Sequence, residues 1–517
     1  MSQFLEMRLP EGMTPFLGSH TWEDDLNKFE QGAARFVPIT KLAHGFGDRE
    51  IFKFLKDGVI FETPVPEFQS LEEGVEFRWY AKILDVCGYR VRARFLGSDN
   101  TFWIHFFSED VHYFGEGKLR DDVRYKPPPG WAFNKRVLKR YLDKKTRKNM
   151  ILPKLHEERK RAQHPSNFVG RRVELLGCDD TTKLRVATIR RQCNSRFQVS
   201  VSPEDYPQAI EEGCPFLRQT TENFWIDFCS PYIYPVTFSH FARYGTDFPE
   251  NYKIHVREVV HSWLEPGEPA YDPLDYKLED SVILAVGYCG DVSNLKVNMK
   301  FELLDPFSGK FKSLHVASVV RVLTTPPQLV VTIDGPNSAA ESFPLRPNSH
   351  YLFPIGYAEE YGLPLETPYP HFQWGEYLKN EKAEPLPVWH FRQNPCFDKE
   401  RLAWFEPGRF LEAASQVDNH FIGPAKIRSR HGRIVRIGFE GWGENHDELY
   451  DIDLQNGITQ NSLNHENCKM GMFRYSEYLK IGMRYCLYIF SNPDLLPIGW
   501  CELHGYDLRS PVVEIDD

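Results

Sequence analysis

Two short sequence markers recur four times along this 517-residue chain, and their spacing constrains the fold more than any other feature. The first marker is an apolar phrase, repeated at intervals of 112, 128 and 110 residues, whose copies centre on Glu62, Glu174, Glu302 and Glu412. A copy of the second marker follows each copy of the first. These copies contain Tyr113, Pro235, Pro354 and Pro497, which are 122, 119 and 143 residues apart. Because two separate markers advance with a similar period, the sequence predicts four divergent repeats.

The segment between the two markers of each repeat is typical of a β-hairpin. Apolar and polar residues alternate, a turn-rich break follows, and the alternation then resumes. The four hairpin segments are residues 78–95, 184–201, 314–333 and 421–439. Aromatic residues make up 14% of the chain, which favours many short strands over long helices. Since each repeat is too small for a sandwich, we expect one compact, strongly bent barrel per repeat.

The spacing divides the chain into repeat 1 (1–129), repeat 2 (130–250), repeat 3 (251–368) and repeat 4 (369–517). Aromatic and leucine residues at three-to-four spacing predict short helical arms leading into the barrels, at 131–145 and 372–380. Residues 451–491 have no counterpart in the other repeats. They are predicted to form a loop inserted in repeat 4, which explains the longest interval.

Composition excludes several classes of protein. Hydrophobic residues at 41% and charged residues at 26% are globular values, so wholesale disorder is excluded. No apolar stretch approaches the roughly 18 residues of a membrane helix, and the N-terminus lacks the layout of a signal peptide. The ten cysteines show no zinc-site spacing, which favours a reducing intracellular compartment and predicts no metal or cofactor. Hydrolase, zinc-protease and phosphate-loop motifs are absent, so no enzyme is expected.

Four phrases in repeat 4 resemble those of a malignant-brain-tumour (MBT) repeat. They are FQWGEYL (372–378), GRFLEAA (408–414), GFEGW (438–442) and PIGWCELHGYDL (497–508). Two phrases of repeat 1, residues 81–95 and 102–112, look like the first repeat of four-repeat MBT proteins, and Trp131–Leu142 resembles the arm that enters their second repeat. The likeness covers nearly the whole chain and is strongest in repeat 4.

This resemblance implies a mainly β fold of four tandem repeats. Each would be a Tudor- or chromo-like bent barrel with a helical N-terminal arm that packs on a neighbouring repeat. It also implies a nuclear chromatin protein that reads methylated lysine on histone tails, of H3 or H4, and supports transcriptional repression together with repressive chromatin complexes. A methylated lysine is a poorly hydrated cation, so aromatic ring faces attract it and a carboxylate can bind its remaining N–H.

In the family, the cage combines an Asp, an Asn three residues later, and Phe-x-x-Trp-x-x-x-Tyr at the hairpin end. In repeat 4 these positions are occupied by Ser415, Asp418, Phe439, Trp442 and His446. Phe439 and Trp442 are kept, whereas His446 stands at the Tyr position and the acidic group is displaced by three residues to Asp418. Tyr450 follows His446 by four residues. We therefore predict a methyl-lysine site at these five residues, with Asp418 facing the pocket and Ser415 beside it.

The other three repeats lack this combination of residues. Repeat 3 keeps an acid at Asp305, but Ile333 and Pro336 replace the rings. Repeat 2 has Gly177 at the acid position and Val201 at the Phe position, with the Trp position near Glu204. Repeat 1 keeps Phe95 without a second ring. These three repeats are predicted to be structural.

Charge leaves a second function open. The net charge is -10, which complements basic histone tails, yet residues 135–161 carry a local charge of +9. That run is either a solvated arm face or a contact for nucleic-acid phosphates. The alternative to a reader is a scaffold with degenerate cages, which binds nucleosomes or repressor partners without recognising methyl-lysine.

Overall fold

A computed structural model describes most of each predicted repeat. The described residues are 17–28, 36–39, 42, 55–130, 168–177, 180–201, 224–227, 230–263, 265, 269–277, 292–307, 310–324, 327–335, 342–347, 349–387, 391, 402–418, 420–452 and 492–511. The predicted arm at 131–145, the basic run at 135–161 and residues 453–491 lie outside them.

Strands dominate the described residues. The N-terminal part holds β1 (Leu17–Ser19) and α1 (Trp22–Lys28). Repeat 1 contains β2 (Ile60–Pro64), β3 (Glu76–Cys87), β4 (Arg90–Phe95), β5 (Thr101–His105) and β6 (Val123–Tyr125), with 3-10 turns at Pro66–Phe68 and Glu116–Leu119. Repeat 2 contains β7 (Arg172–Leu176), β8 (Lys183–Cys193), β9 (Arg196–Ser200), β10 (Phe224–Asp227), β11 (Ile233–Tyr234), α2 (Phe238–Ala242) and β12 (Gly245–Thr246).

The second half of the chain repeats this order. Repeat 3 begins with α3 (Glu250–Ser262), shared with the end of repeat 2, and contains β13 (Lys300–Leu303), β14 (Leu314–Thr324), β15 (Pro327–Ile333), β16 (Phe343–Leu345), β17 (Leu352–Phe353), α4 (Tyr357–Tyr361) and β18 (Leu365–Glu366). Repeat 4 contains α5 (Trp374–Asn380), β19 (Phe410–Ala414), β20 (Ile422–His431), β21 (Ile434–Phe439), a 3-10 turn (Glu444–His446), β22 (Glu448–Asp451), β23 (Leu495–Leu496), α6 (Trp500–His504) and β24 (Arg509–Pro511).

Each repeat contributes one curled, mainly antiparallel sheet, which confirms the mainly β prediction. The order of the strands in the sheet is the same in repeats 2, 3 and 4, and in repeat 2 it is β10-β9-β8-β7-β11. In repeat 1 the strands β2-β3-β4-β5 correspond to β7-β8-β9-β10. All four predicted hairpins form, as β3–β4, β8–β9, β14–β15 and β20–β21. The boundaries between repeats stay a prediction. The insertion predicted at 451–491 also stays a prediction: Asp451 is the last residue of β22, and residues 453–491 lie outside the described residues.

A register irregularity at the same place in every hairpin explains why the sheets curl. It lies between Ile83 and Asp85 in repeat 1, and the corresponding positions are 189/191, 319/321 and 427/429. An extra residue on one strand bends that strand and increases its twist. Each long strand therefore folds over its own barrel and buries one face.

The four glutamates of the first marker share one structural role. In repeat 4, Glu412 accepts hydrogen bonds from the backbone amides of Gly499, at 2.6 Å, and Cys501, at 2.9 Å. The equivalent pairs of amide donors are Gly115 and Gly117 for Glu62, Thr237 and Ser239 for Glu174, and Gly356 and Ala358 for Glu302. A buried carboxylate thus joins the first strand of each barrel to the start of the short helix that follows the second marker, where amides lack helical partners.

Two arms use the same glutamates as docking points. Trp374 of α5 donates from its indole Nε1 to Glu302 Oε1 over 3.0 Å, so the arm entering repeat 4 packs on repeat 3. Trp22 of α1 makes the same contact with Glu412 over 2.9 Å. Strand β1 also pairs with β24, with Leu17 opposite Pro511. The N-terminal segment therefore completes repeat 4, the last in the chain.

The hairpins of three repeats contact the short helices of their neighbours. Tyr357 of α4 in repeat 3 donates from its hydroxyl to the carbonyl of His431, at the tip of the repeat 4 hairpin, over 2.8 Å. Arg321 of repeat 3 donates to the carbonyl of Ala242 in repeat 2 over 3.2 Å. Asn194, at the tip of the repeat 2 hairpin, lies 3.0 Å from His504 Nε2 in repeat 4. Repeats 2, 3 and 4 therefore close into a three-membered ring.

Repeat 1 contacts repeat 4 of this ring. The amide of Tyr89 donates to the carbonyl of Ile498 over 2.7 Å, and Arg90 pairs with Glu502 of α6 at 2.9 Å. Gly88 has a φ of +62°, and a Cβ there would lie 2.4 Å from the Ile498 carbonyl oxygen. Only glycine fits this turn. No helix among the described residues is long and apolar enough to cross a membrane.

Candidate functional site

The two rings predicted for the cage of repeat 4 lie in one aromatic cluster. Phe439 ends β21, and Trp442 follows after a turn in which Gly441 has a φ of +80°. The ring of Phe421 packs edge-on against both, with centroids 5.2 Å from Phe439 and 5.8 Å from Trp442. His446 completes the cluster at 5.2 Å from Trp442. Four rings therefore gather at one end of the repeat 4 barrel.

The cluster is largely inside the protein. Phe439 is 3% exposed and Trp442 is 8% exposed, and both belong to the hydrophobic core of repeat 4. His446 is half-buried at its edge. The Phe421 ring lies over Gly423, where a Cβ would be 2.6 Å from its Cζ. Phe421 therefore occupies the space beside both predicted cage rings.

Ser415 is buried and its hydroxyl is engaged by the protein itself. It donates to Glu448 Oε1 over 2.6 Å and accepts the Asp418 amide over 2.9 Å. The other oxygen of Glu448 accepts the amide of Gln416, at 2.7 Å, and the hydroxyl of Tyr450, at 2.9 Å. A carboxylate thus lies beside the position where the family has Asp, but it comes from β22 and is 2% exposed.

Asp418 lies in the loop between β19 and β20, partly exposed. Its Oδ1 accepts the amide of His420 over 3.1 Å, and its carbonyl accepts the amide of Phe421 over 2.9 Å. The loop therefore connects the predicted carboxylate directly to the ring that packs on Trp442. Ser415 and Asp418 lie together, and Phe439, Trp442 and His446 form the aromatic side.

Charge beside the aromatic cluster is held in ion pairs. Asp447 is buried next to His446, and burial raises the pKa of its carboxyl, whereas Arg436 and Arg428 lower it. Arg436 Nε lies 3.1 Å from Oδ2 of Asp447.

The indole Nε1 of Trp442 has no hydrogen-bond partner among the described residues. It is a buried donor that a ligand or water could satisfy.

The cage positions of the other repeats are occupied by packing residues where the structure describes them. Asp305 is buried and caps its own loop by accepting the amide of Phe307 over 2.9 Å. Val201 is buried in the repeat 2 core, and Phe95 packs on Phe102 with centroids 4.8 Å apart. Gly177 is buried as well. Pro336 and Glu204 lie outside the described residues.

Sequence reasoning missed two residues of this site. Phe421 lies just before the hairpin, where an aromatic residue indicates only a core position. Glu448 stands in the acidic stretch 440–451, in which no pattern marks one carboxylate as buried. Both act through contacts with residues distant in sequence, such as the 33-residue separation between Ser415 and Glu448.

Comparison with known proteins identifies the fold. The family model of the mbt repeat matches residues 171–253 and 299–371, in repeats 2 and 3. Protein lin-61 of Caenorhabditis elegans is 32% identical over 515 residues, covering 95% of this chain and 76% of that protein. Malignant brain tumor repeat protein 1 of the same organism is 30% identical, covering 97% and 88%. The chain belongs to the MBT repeat family.

Structural comparison agrees with this assignment across all four repeats. The four MBT repeats of Drosophila melanogaster Sfmbt superpose with a TM-score of 0.66 at 19% identity, covering 95% of this chain and 98% of that one. That structure is a complex with the peptide RHR(me)K VLR. The family model matches repeats 2 and 3, whereas the phrases quoted for the MBT resemblance are most similar in repeat 4.

Proposed function

We propose that this MBT protein is a non-enzymatic nuclear chromatin reader, which binds mono- or dimethylated lysine of histone tails through repeat 4 and supports transcriptional repression. The observation that carries the proposal is the aromatic cluster of Phe421, Phe439, Trp442 and His446, reached by a loop that bears Asp418. No other repeat offers such a combination at its described cage positions.

The chemistry of the ligand matches these groups. A methylated ammonium group is attracted to ring faces at about 0.5–2 kcal/mol per well-placed ring. Asp418 can accept the remaining N–H of a mono- or dimethylated lysine, which a trimethylated lysine lacks. The Sfmbt complex with a methylated-lysine peptide supports the same class of ligand for this chain, as does its net charge of -10 beside basic tails.

Burial of the rings determines how such a ligand enters. Phe439 and Trp442 offer little open surface, and Phe421 contacts both. The side chain of Phe421 therefore has to move before an ammonium group meets the ring faces. The free energy of that opening reduces the observed affinity, since only the open fraction of molecules binds.

The second candidate function is a chromatin scaffold that does not recognise methyl-lysine. It is favoured by the burial of the rings of Phe439 and Trp442. It is also favoured by the hydrogen bonds of Glu448, whose two oxygens accept from Ser415, Gln416 and Tyr450. Such a scaffold would bind nucleosomes or repressor partners through its surfaces, and residues 135–161 would contact nucleic-acid phosphates.

Titration with histone H3 and H4 tail peptides in four methylation states distinguishes the two functions. A reader binds the mono- and dimethylated peptides at least tenfold more tightly than the unmodified ones, and Trp442→Ala abolishes this difference. Trp404→Ala is the matched control, because Trp404 is 37% exposed and lies on Arg409 instead of in the cluster. Equal, salt-sensitive binding of all peptides supports the scaffold.

A further inference from the structure

The backbone of β24 lies beside the ring of Phe421. A Cβ on Gly423 would be 2.6 Å from Cζ of Phe421 and 3.2 Å from the carbonyl oxygen of Arg509 in β24, so the ring and the strand meet at this glycine. Phe421 is 4% exposed and contacts both predicted cage rings. Its side chain can therefore leave those rings only if neighbouring groups, β24 among them, move as well.

The chain around β24 also contacts the turn and the loop that carry the aromatic cluster. Gly441, which precedes Trp442, has a φ of +80°, and a Cβ there would be 3.1 Å from Cδ of Pro511. Shortly before β24, the hydroxyl of Tyr506 donates to the carbonyl of His420 over 3.1 Å. The C-terminal strand and the residues leading into it therefore contact repeat 4 both just before and just after the hairpin β20–β21.

The N-terminal segment holds β24 in this position. Strand β1 runs antiparallel to it, with Gly18 opposite Ser510 and Ser19 opposite Arg509, and the amide of His20 donates to the carbonyl of residue 508 over 2.8 Å. The two strands form a sheet of their own with three residue pairs. Because a two-stranded sheet of this size is only marginally stable, its pairing can open at a small cost in free energy.

Other residues of the N-terminal segment lie in the core that contains the cage rings. Val37 and Leu42 are buried in the same hydrophobic cluster as Phe421 and Trp442. The amide of Val37 donates to the carbonyl of Phe410, at the start of β19, over 3.1 Å. The N-terminal segment therefore adjoins the cage by two routes, through the shared core and through β24.

We propose that β1 and β24 form a strap that keeps the repeat 4 site closed, and that release of β1 opens it. This regulation rests on the proposed reading of methyl-lysine by repeat 4. While the two strands are paired, β24 lies against Gly423 and Gly441, and the Phe421 ring stays on the cage rings. Once β1 separates, β24 has no partner strand and Phe421 is free to turn away. The observed affinity for methyl-lysine then rises with the open fraction of molecules.

A reversible cross-link tests the strap in the full chain. Since the pair His20 and Leu508 is hydrogen-bonded, the next pair, Ser19 and Arg509, is not, and the side chains of such pairs are close enough for a disulfide. The oxidised Ser19→Cys, Arg509→Cys protein should bind a dimethyl-lysine H3 peptide at least tenfold more weakly than the same protein reduced with dithiothreitol. Ser19→Cys alone should bind equally in both states. Equal affinity of the oxidised and reduced double variant would overturn the proposal.

A proline in β1 tests the opposite direction. The amide of Gly18 points to β24, two residues before that of His20, whereas the amide of Ser19 points away. Gly18→Pro removes a donor from the ladder and should raise the affinity for the same peptide at least threefold. Ser19→Pro is the matched control and should leave it unaltered. An unaltered affinity in Gly18→Pro would contradict the strap, and circular dichroism shows whether each variant is folded.

Hydrogen exchange measured without peptide separates the strap from the proposed function. The amides of Phe421 and Trp442 donate to the carbonyls of Asp418 and Phe439. Mass spectrometry should show at least threefold faster exchange in peptides containing these amides in Gly18→Pro than in Ser19→Pro. Faster exchange without methyl-dependent binding in any chain would overturn the proposed function and keep the strap. Equal exchange rates in the two variants would overturn the strap, whether or not the peptide binds.

Discussion

The indole Nε1 of Trp22 donates a 2.9 Å hydrogen bond to Oε1 of Glu412, a contact that spans 390 residues of chain. Glu412 also accepts two backbone amides of repeat 4, so the arm supplies a third donor to a fully buried carboxylate. A buried acceptor that loses a donor is destabilised more than an exposed one. The stability of repeat 4 therefore depends on the N-terminal arm.

Trp22→Phe tests this dependence, because it keeps a ring and removes the donor. We expect the free energy of unfolding to fall by about 1–3 kcal/mol in urea denaturation. Trp404→Phe, at an exposed position, should change it by less than about 0.5 kcal/mol. Equal values for the two variants would mean that the indole bond contributes nothing to stability.

Restoring the family's acid at position 415 should be unfavourable here. Ser415→Asp places a carboxylate beside Glu448, whose Oε1 lies 2.6 Å from the present hydroxyl. Two buried like charges without a cation between them should lower the free energy of unfolding by about 3 kcal/mol. Adding Glu448→Gln removes one charge and should recover at least half of the loss. A double variant no more stable than Ser415→Asp alone would contradict the proposed repulsion.

In the proposed reader, Phe421 controls access to the cage, so a smaller side chain there should favour ligand binding. Phe421→Leu keeps an apolar group in the core and vacates part of the space beside Phe439 and Trp442. We expect affinity for a dimethyl-lysine H3 peptide to rise at least threefold in a calorimetric titration, because less free energy is needed for opening. A decrease in affinity would instead identify the Phe421 ring as a wall of the binding pocket.

His504 predicts a pH dependence of stability. Burial, together with His105, lowers its pKa from 6.5 to about 3. Between these values the unfolded chain binds a proton that the folded chain does not, so the free energy of unfolding decreases as the pH falls below 6.5. The contribution is at most about 1.4 kcal/mol per pH unit. Denaturation at pH 7, 5.5 and 4.5 should show a flatter dependence in His504→Gln.

The control for this measurement is His261→Gln, because His261 is exposed on α3. It should leave the pH dependence as it is in the unaltered chain. An identical slope in His504→Gln and the unaltered chain would show that folding does not change the pKa of His504. Asn194, 3.0 Å from its Nε2, suits a neutral ring that accepts a hydrogen bond.

The sequence predicted the parts of the fold that each repeat builds from its own residues. The marker glutamates could be recognised in the sequence because each one has the same role within its own repeat. Each joins the first strand of a barrel to the short helix of the same barrel. The hairpins were visible because alternation has a two-residue period. Neither signal depends on knowing which repeats are neighbours in space.

Contacts between distant segments could not be predicted in this way. The three-membered ring of repeats depends on tips such as Asn194 reaching helices far away in sequence, and nothing in the local pattern names the partner. The same holds for Glu448 against Ser415 and for Phe421 against Trp442. The arrangement of the candidate site was therefore only partly predictable: a motif supplied the five predicted positions, but neither Phe421 nor Glu448.

The pairing of β1 with β24 brings Leu17 and Pro511 side by side. Deleting β1 and α1, or deleting β24, should therefore damage one location. Loss of β1 and α1 removes the donor to Glu412, and loss of β24 leaves those same N-terminal residues without their pairing edge. In a mutational screen, the two deletions would therefore give the same phenotype.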